Sequence, residues 1–272
     1  MLHVRPSPIA GQWYPGRPEQ LKKTVDAFLE NAAAPEVPGM LIGVVAPHAG
    51  HRYSGAVAAH AFRAVIGLKV DTVAVISPMH YPYSAPLLTT GHDAYWTPLG
   101  EIPVDGEALA AIQAACETPI TPVNEDPEHS LEIELPFLQR ALPSFKLIPI
   151  MIRNDSASVC EALAQALAAV LQGRRCLLVA SSDLSHFYPQ GVADKLDSYM
   201  LAQVEAFDPL GVLKAEEEEK GFACGKGAIV AVLMAAKLLG AKGVRVVKHA
   251  TSGDVTGDYS SVVGYGAAII WK

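Results

Sequence analysis

The run Met40-Leu41-Ile42-Gly43-Val44-Val45-Ala46, continuing into Pro47-His48-Ala49-Gly50-His51-Arg52-Tyr53-Ser54-Gly55, decides the fold. Its first half is apolar throughout and reads as a strand buried on both faces. Pro47 stops that strand, and Gly50 and Gly55 are expected to let the backbone turn sharply. The segment from Ala56 to Val65 then reads as a helix. His48 thus falls at the carboxyl end of a central strand, where open α/β sheets build their sites. The pattern recurs twice: Asp71 to Ser77 runs into Pro78-Met79-His80, and Cys176 to Ser182 into Asp183-Leu184-Ser185-His186. Neighbouring strands lie about 4.8 Å apart, so three such histidines can converge if their strands are adjacent.

Outward from this core, Lys146 to Ile152 reads as a further buried strand, with a helix from Ser156 to Leu171 and a long one from Pro189 to Phe207. Ser261 to Trp271 is long and apolar, and is expected inside the sheet. The expected architecture is a three-layer α/β/α fold around a mixed, largely parallel sheet. One domain spans residues 1–272, with residues 1–16 as an irregular, aromatic arm packed on it.

Half of the 272 residues are hydrophobic, which supplies a large core, and the net charge of −7 comes without a basic stripe. Nucleic acid is therefore not an expected partner. No apolar run reaches the roughly 20 residues of a membrane span, and the opening residues lack a basic-then-apolar leader layout. Cys116, Cys160, Cys176 and Cys224 are scattered and form no CxxC pair, so reduced thiols and a cytoplasmic location are expected.

Several residues have two readings. Trp13 and Tyr14 either line a pocket or cap the core. His51 and Tyr53 share the first loop with His48, and Tyr81 and Tyr83 lie beside His80; aromatics next to a histidine suit an organic ligand. His129 stands before Leu131–Leu138, read as helical with Pro136 kinking or restarting the helix, and either faces a site or caps that helix. Cys224 precedes an apolar helix, where the macrodipole favours a thiolate, or it is a packed thiol. Asp254 and Asp258 belong to a glycine-rich loop that is either a tight turn or a rim of the site. His60 reads as a packing residue, Glu216–Glu219 as a solvated helix face, and Gly225-Lys226-Gly227 lacks the rest of a phosphate loop.

If His48, His80 and Cys224 meet, two imidazoles and a thiolate make a site for a divalent transition metal. His186 would then stand by as a general base or a further ligand, with Asp183 beside it. The candidate substrate-binding residues are Trp13, Tyr14, His51, Tyr53 and Tyr81.

Taken together, RPSPIAGQWYP (5–15), APHAGHRYSG, SPMHY (77–81), EHSLEIELPFL (128–138), SSDLSH (181–186), ACGKGAI (223–229) and SGDVTGDYSSVVGYGA (252–267) resemble the Memo-like family. Its prokaryotic members include the AmmeMemoRadiSam system protein B. That family is similar in fold to class III extradiol dioxygenases, non-haem iron enzymes that open catechol rings. The resemblance implies that His48 and His80 are the metal-binding pair. It makes His186 the acid and base, and His129 a histidine on the substrate side. Cys224 falls where the dioxygenases carry a glutamate, which departs from their two-histidine, one-carboxylate face. Fe(II) is the implied metal, and the thiolate opens the way to Cu or Zn. The implied activity is a redox reaction on a small organic substrate. The other reading is a non-catalytic module that binds a peptide or partner protein, and the third leaves the histidines as hydrogen-bonding groups at strand ends. The family name also implies a functional association with a radical-SAM enzyme.

Overall fold

The computed structural model describes residues 3–272. Its elements follow in chain order. The first half holds β1 (Val4–Arg5), α1 (Pro18–Asn31), β2 (Leu41–Ala46), α2 (His51–Arg63), β3 (Thr72–Pro78), β4 (Leu87–Thr90), β5 (Ala94–Thr97), β6 (Gly100–Pro103), α3 (Gly106–Ala115) and β7 (Ile120–Val123). A single 3-10 turn at Glu132–Glu134 leads into α4 (Leu135–Ala141), then β8 (Lys146–Ile152), α5 (Ala157–Leu171) and β9 (Cys176–Ser181). The rest is β10 (Asp183–Tyr188), α6 (Gln190–Glu205), α7 (Pro209–Glu217), α8 (Lys226–Leu238), β11 (Gly243–Thr251), α9 (Gly253–Thr256) and β12 (Val262–Trp271).

Nine strands form the main sheet, in the order β10-β12-β2-β9-β3-β8-β4-β7, with β11 on the other edge of β12. β2, β9, β3 and β8 are parallel neighbours; β12 runs antiparallel to β2, and β4 antiparallel to β8. The sheet is therefore mixed and largely parallel, and β12 is interior as its apolar sequence requires. Alternation along the strands fills both faces. Ala74, Ile76, Ile148, Ile150, Leu178, Ala180, Ala268 and Ile270 join the core beneath α3, α5, α6, α7 and α8. Val73, Val75, Leu147, Met151, Leu177, Val179, Ala267 and Ile269 join the core beneath α1, α2 and α4. Helices thus cover both sides of the sheet in one body. A three-stranded sheet, β1-β5-β6, carries the arm.

Two local expectations are corrected and a third is decided between its alternatives. α2 begins at His51, not Ala56, so Gly55 lies inside a helix instead of turning the chain. Its role is close approach: a Cβ there would sit 2.7 Å from the Phe28 ring of α1. Asp183–His186 is not a loop but opens β10, which pairs irregularly with β12 through two register shifts. At Pro136 the helix restarts and does not kink: Pro136 sits in the first turn of α4, where a missing N–H costs nothing, and the residues before it tighten into the 3-10 turn.

No helix among the described residues is long and apolar enough to cross a membrane.

Candidate metal centre

The site grows from the adjacency of β2, β9 and β3. Because these strands are parallel, their carboxyl ends open on one side, and the chain leaving them carries His48, then Ser181 and Asp183, then His80. Cys224 reaches the same place from the opposite direction. Its N–H donates to the Asp183 carbonyl at 3.2 Å, and the next N–H, of Gly225, donates to Ser182 Oγ at 2.9 Å. A Cβ on Gly225 would lie 2.2 Å from the Ser181 carbonyl oxygen, so only glycine lets this turn press against the end of β9.

The ligand atoms of His48, His80 and Cys224 lie within 4.8 Å of one another. Cys224 Sγ stands 3.1 Å from His48 Nε2. A tetrahedral ion with bonds of about 2.1 Å to nitrogen and 2.3 Å to sulfur holds such donors about 3.6 Å apart, so small side-chain adjustments accommodate one.

Both imidazoles are turned for this by carboxylates behind them. His48 Nδ1–H donates to Ser181 Oγ at 3.0 Å, whose hydroxyl faces Glu134 Oε1 at 2.8 Å and the Ser130 carbonyl at 2.6 Å. His80 Nδ1–H donates to Glu128 Oε1 at 2.9 Å. In each ring Nε2 is left as the lone-pair donor, the form a metal needs. Glu128 also belongs to a second group of ligand-type residues, with His80 and His129. Its oxygens, however, already accept the backbone N–H groups of His80, His129 and Ser130 besides the His80 ring. Glu128 is an anchor, not a spare ligand. Burial opposes its ionisation, yet the hydrogen bond and charge of His80 and the charge of His129 hold its carboxyl down at about 2.

His129 stacks on His80 with ring centres 5.0 Å apart and lies 5.5 Å from the His48 ring. The Trp13 ring packs on His129 as well, with centres 4.0 Å apart and a tilt of 37°. Burial keeps the His48 and His129 rings neutral, His48 well below the usual histidine range and His129 at about 4. His186 Nδ1–H donates to the Leu184 carbonyl at 2.7 Å, and burial lowers its pKa as well. Asp183 Oδ1 accepts the N–H groups of His48 and Ala49, clamping the loop, while burial pushes its carboxyl up to about 7. The thiolate expected at Cys224 is reversed in the metal-free protein. Burial, then the Asp183 carboxylate, raises that thiol well above its ordinary range, and this outweighs the nearby start of α8.

Beside the cluster is an open cleft of about 510 Å3 lined by Trp13, Tyr53, Phe187, Tyr265 and, among polar groups, Asp258. Asp258 therefore stands on the rim. Tyr14 and His51, expected at the pocket, are buried behind it. The Tyr14 hydroxyl donates to Glu132, and His51 Nε2–H donates to the Ile133 carbonyl between the Tyr14 and Phe137 rings. Tyr81 is exposed and does not line this cleft. The residues that sequence reasoning missed are carboxylates: Glu128 and Glu134 at the site, and Glu132 behind it.

Two predictions arise here. Ser181→Ala removes the acceptor that orients His48, and metal affinity is expected to fall about 10- to 100-fold with the fold intact. Competition with a chromophoric chelator measures it. The second concerns acid. His51 Nδ1 is buried with no partner among the described residues, and burial holds this ring at about 4 against 6.5 for an ordinary histidine. The folded state resists the proton that the unfolded chain accepts, so stability present above pH 6.5 is lost as pH falls towards 4, by ~3 kcal/mol for this one group. Thermal unfolding across that window should fall for the wild type and less steeply for His51→Leu.

Comparison with known proteins places these residues in a wider set. A family model described as Memo-like protein matches residues 5–269. A MEMO1 family protein of Methanopyrus kandleri is 34% identical over 276 residues, covering 97% of each chain. Another from Methanococcoides burtonii is 37% identical over 98% of this chain and 100% of its own. A third, from Sulfolobus acidocaldarius, is 36% identical over 96% and 97%.

Proposed function

Because the chain belongs to the Memo-like family, we propose that it is a metal-dependent redox enzyme acting on a small oxygen-bearing organic molecule held in the cleft beside His48, His80 and Cys224. The observation that carries this reading is the convergence of three ligand atoms within 4.8 Å, with both imidazoles turned so that Nε2 is the free donor. His48, His80 and Cys224 would hold the ion, Fe(II) first and Cu or Zn as the softer choices that a thiolate favours. A bound ion of this kind supplies Lewis acidity and, for iron or copper, one-electron exchange.

The chain's own groups supply the rest. His186, neutral at pH 7 and tethered at Nδ1, offers Nε2 to take a proton from a substrate hydroxyl and return it later. Trp13, which lines the cleft and packs on His129 with ring centres 4.0 Å apart, offers an aromatic surface against which a flat molecule can lie. Asp183 keeps the His48 loop from moving as the substrate enters.

Oxygen uptake by protein reconstituted anaerobically with ferrous iron, presented with a panel of catechols, tests the ring-opening version of this chemistry. Uptake that needs both His48 and His186 supports it; no uptake with any catechol removes it. The second reading, a binding module, draws on the aromatic lining of the cleft and on a thiol standing where the dioxygenases carry a carboxylate. It expects saturable binding of a peptide, weakened by Trp13→Ala, with no product.

A further inference from the structure

We propose that the cleft beside the metal centre selects substrates by charge, taking the cationic, ammonium-bearing end of an aromatic or alkyl amine. This rests on the cleft being the substrate site of the reading above, and names the class of molecule it admits. The lining supplies four aromatic side chains, Trp13, Tyr53, Phe187 and Tyr265, and one charged group, Asp258. Among the described residues no lysine or arginine lines it. Arg52, whose guanidinium lies 5.7 Å from the Tyr53 ring, is exposed and outside the lining. Aromatic faces carry negative quadrupole charge, and several of them around a void favour a cation over an anion, while Gln12, Ser252, Thr256 and Ser261 offer only neutral hydrogen-bonding groups.

Asp258 is held as a carboxylate. Ser260 donates both its backbone N–H, at 2.9 Å, and its hydroxyl, at 2.6 Å, to Asp258 Oδ1. Asp258 is exposed, and among the described residues no hydrogen bond reaches its second oxygen. An anionic substrate entering here would meet that charge with no counter-charge from the walls.

Phe187 gives the cleft its clearest sign of a built function. It is 75% exposed, follows His186 directly, and holds a left-handed backbone at φ 63°. A bulky residue in that region is strained, and an exposed phenyl ring has no burial to offset the strain. Glycine would take the same conformation without cost. What the phenylalanine adds is a ring beside the cleft, 5.7 Å from the His186 ring.

The test uses two probes of similar size, benzyltrimethylammonium and phenylacetate, titrated by calorimetry into the full chain stripped of metal with a chelator. Binding of the cation at least about tenfold tighter than the anion is expected. Asp258→Asn should narrow that ratio, and Phe187→Gly should weaken cation binding several-fold while raising the thermal midpoint. Equal or tighter binding of phenylacetate, no saturable binding of the cation, or cation affinity unmoved by both variants overturns the proposal. The stripped protein keeps this test apart from the metal: a cation preference stands or falls here whether or not reconstituted protein consumes oxygen.

Discussion

Cys224→Ser and His48→Ala are each expected to lose metal that the wild type retains through gel filtration, with affinity lowered more than about 100-fold. That floor follows from the geometry. Partners behind a ligand, such as Ser181, are worth about 10- to 100-fold, and removal of a ligand atom itself must exceed them. The serine variant is the sharper of the two, because it keeps the size of the side chain and the N–H bond to the Asp183 carbonyl while replacing a soft donor with a hard one. The wild-type site carries its own signature as well. The Cys224 proton is held tightly by burial and by Asp183, and it must leave when an ion binds. Apparent affinity should therefore rise about tenfold for each unit of pH near neutrality, and the Cys224→Ser variant should lose most of that slope. Mass spectrometry for metal content, followed by chelator competition at several pH values, reads both effects. Retention of stoichiometric metal by either variant would place the ion elsewhere.

The histidines of this site are legible from sequence because each follows an apolar run that can only be a buried strand, and parallel strands put such residues on one side. Their convergence depends on the order β2-β9-β3, which no local pattern encodes. Cys224 is legible in position, since glycines flank it before an apolar helix, but not in protonation: the α8 dipole is a local feature, while what overrules it is burial in the folded chain and the charge of Asp183, 41 positions away. The carboxylates were hidden for the same reason. Glu132 and Glu134 look like ordinary surface charges on a helix. Their partners are Arg5, Tyr14 and Ser181, at separations of 127, 118 and 47 residues. The one available signal was their placement among Leu131, Ile133, Leu135 and Phe137, an apolar run with little room for a solvated face.

Arg5 extends this argument into stability, and Arg5→Ala is expected to cost about 3–5 kcal/mol. The guanidinium is buried, and four of its five N–H donors are used. Nε donates to Asp126 Oδ2 at 2.8 Å, Nη1 to Glu132 Oε2 at 2.5 Å, and Nη2 to the Asp126 and Glu128 carbonyls at 3.0 and 2.8 Å. Glu132 also accepts the hydroxyls of Tyr14 and Ser7. Burial alone would weaken the charge on Arg5, but Tyr95, Asp126 and Glu132 more than offset it. Truncation leaves two buried carboxylates without their cation, which is the costly way to break such a pair; replacing Arg5 and Glu132 together by leucine should cost less than the sum of the single changes. Urea unfolding of the four proteins measures the coupling, and a loss below about 1 kcal/mol for Arg5→Ala would show that water fills the gap. The effect should not stop at the arm. Asp126 Oδ1 accepts the Glu128 N–H, Arg5 holds the Glu128 carbonyl, and Glu128 orients His80. Metal affinity in folded Arg5→Ala should therefore fall as well, through a residue that touches no ligand atom.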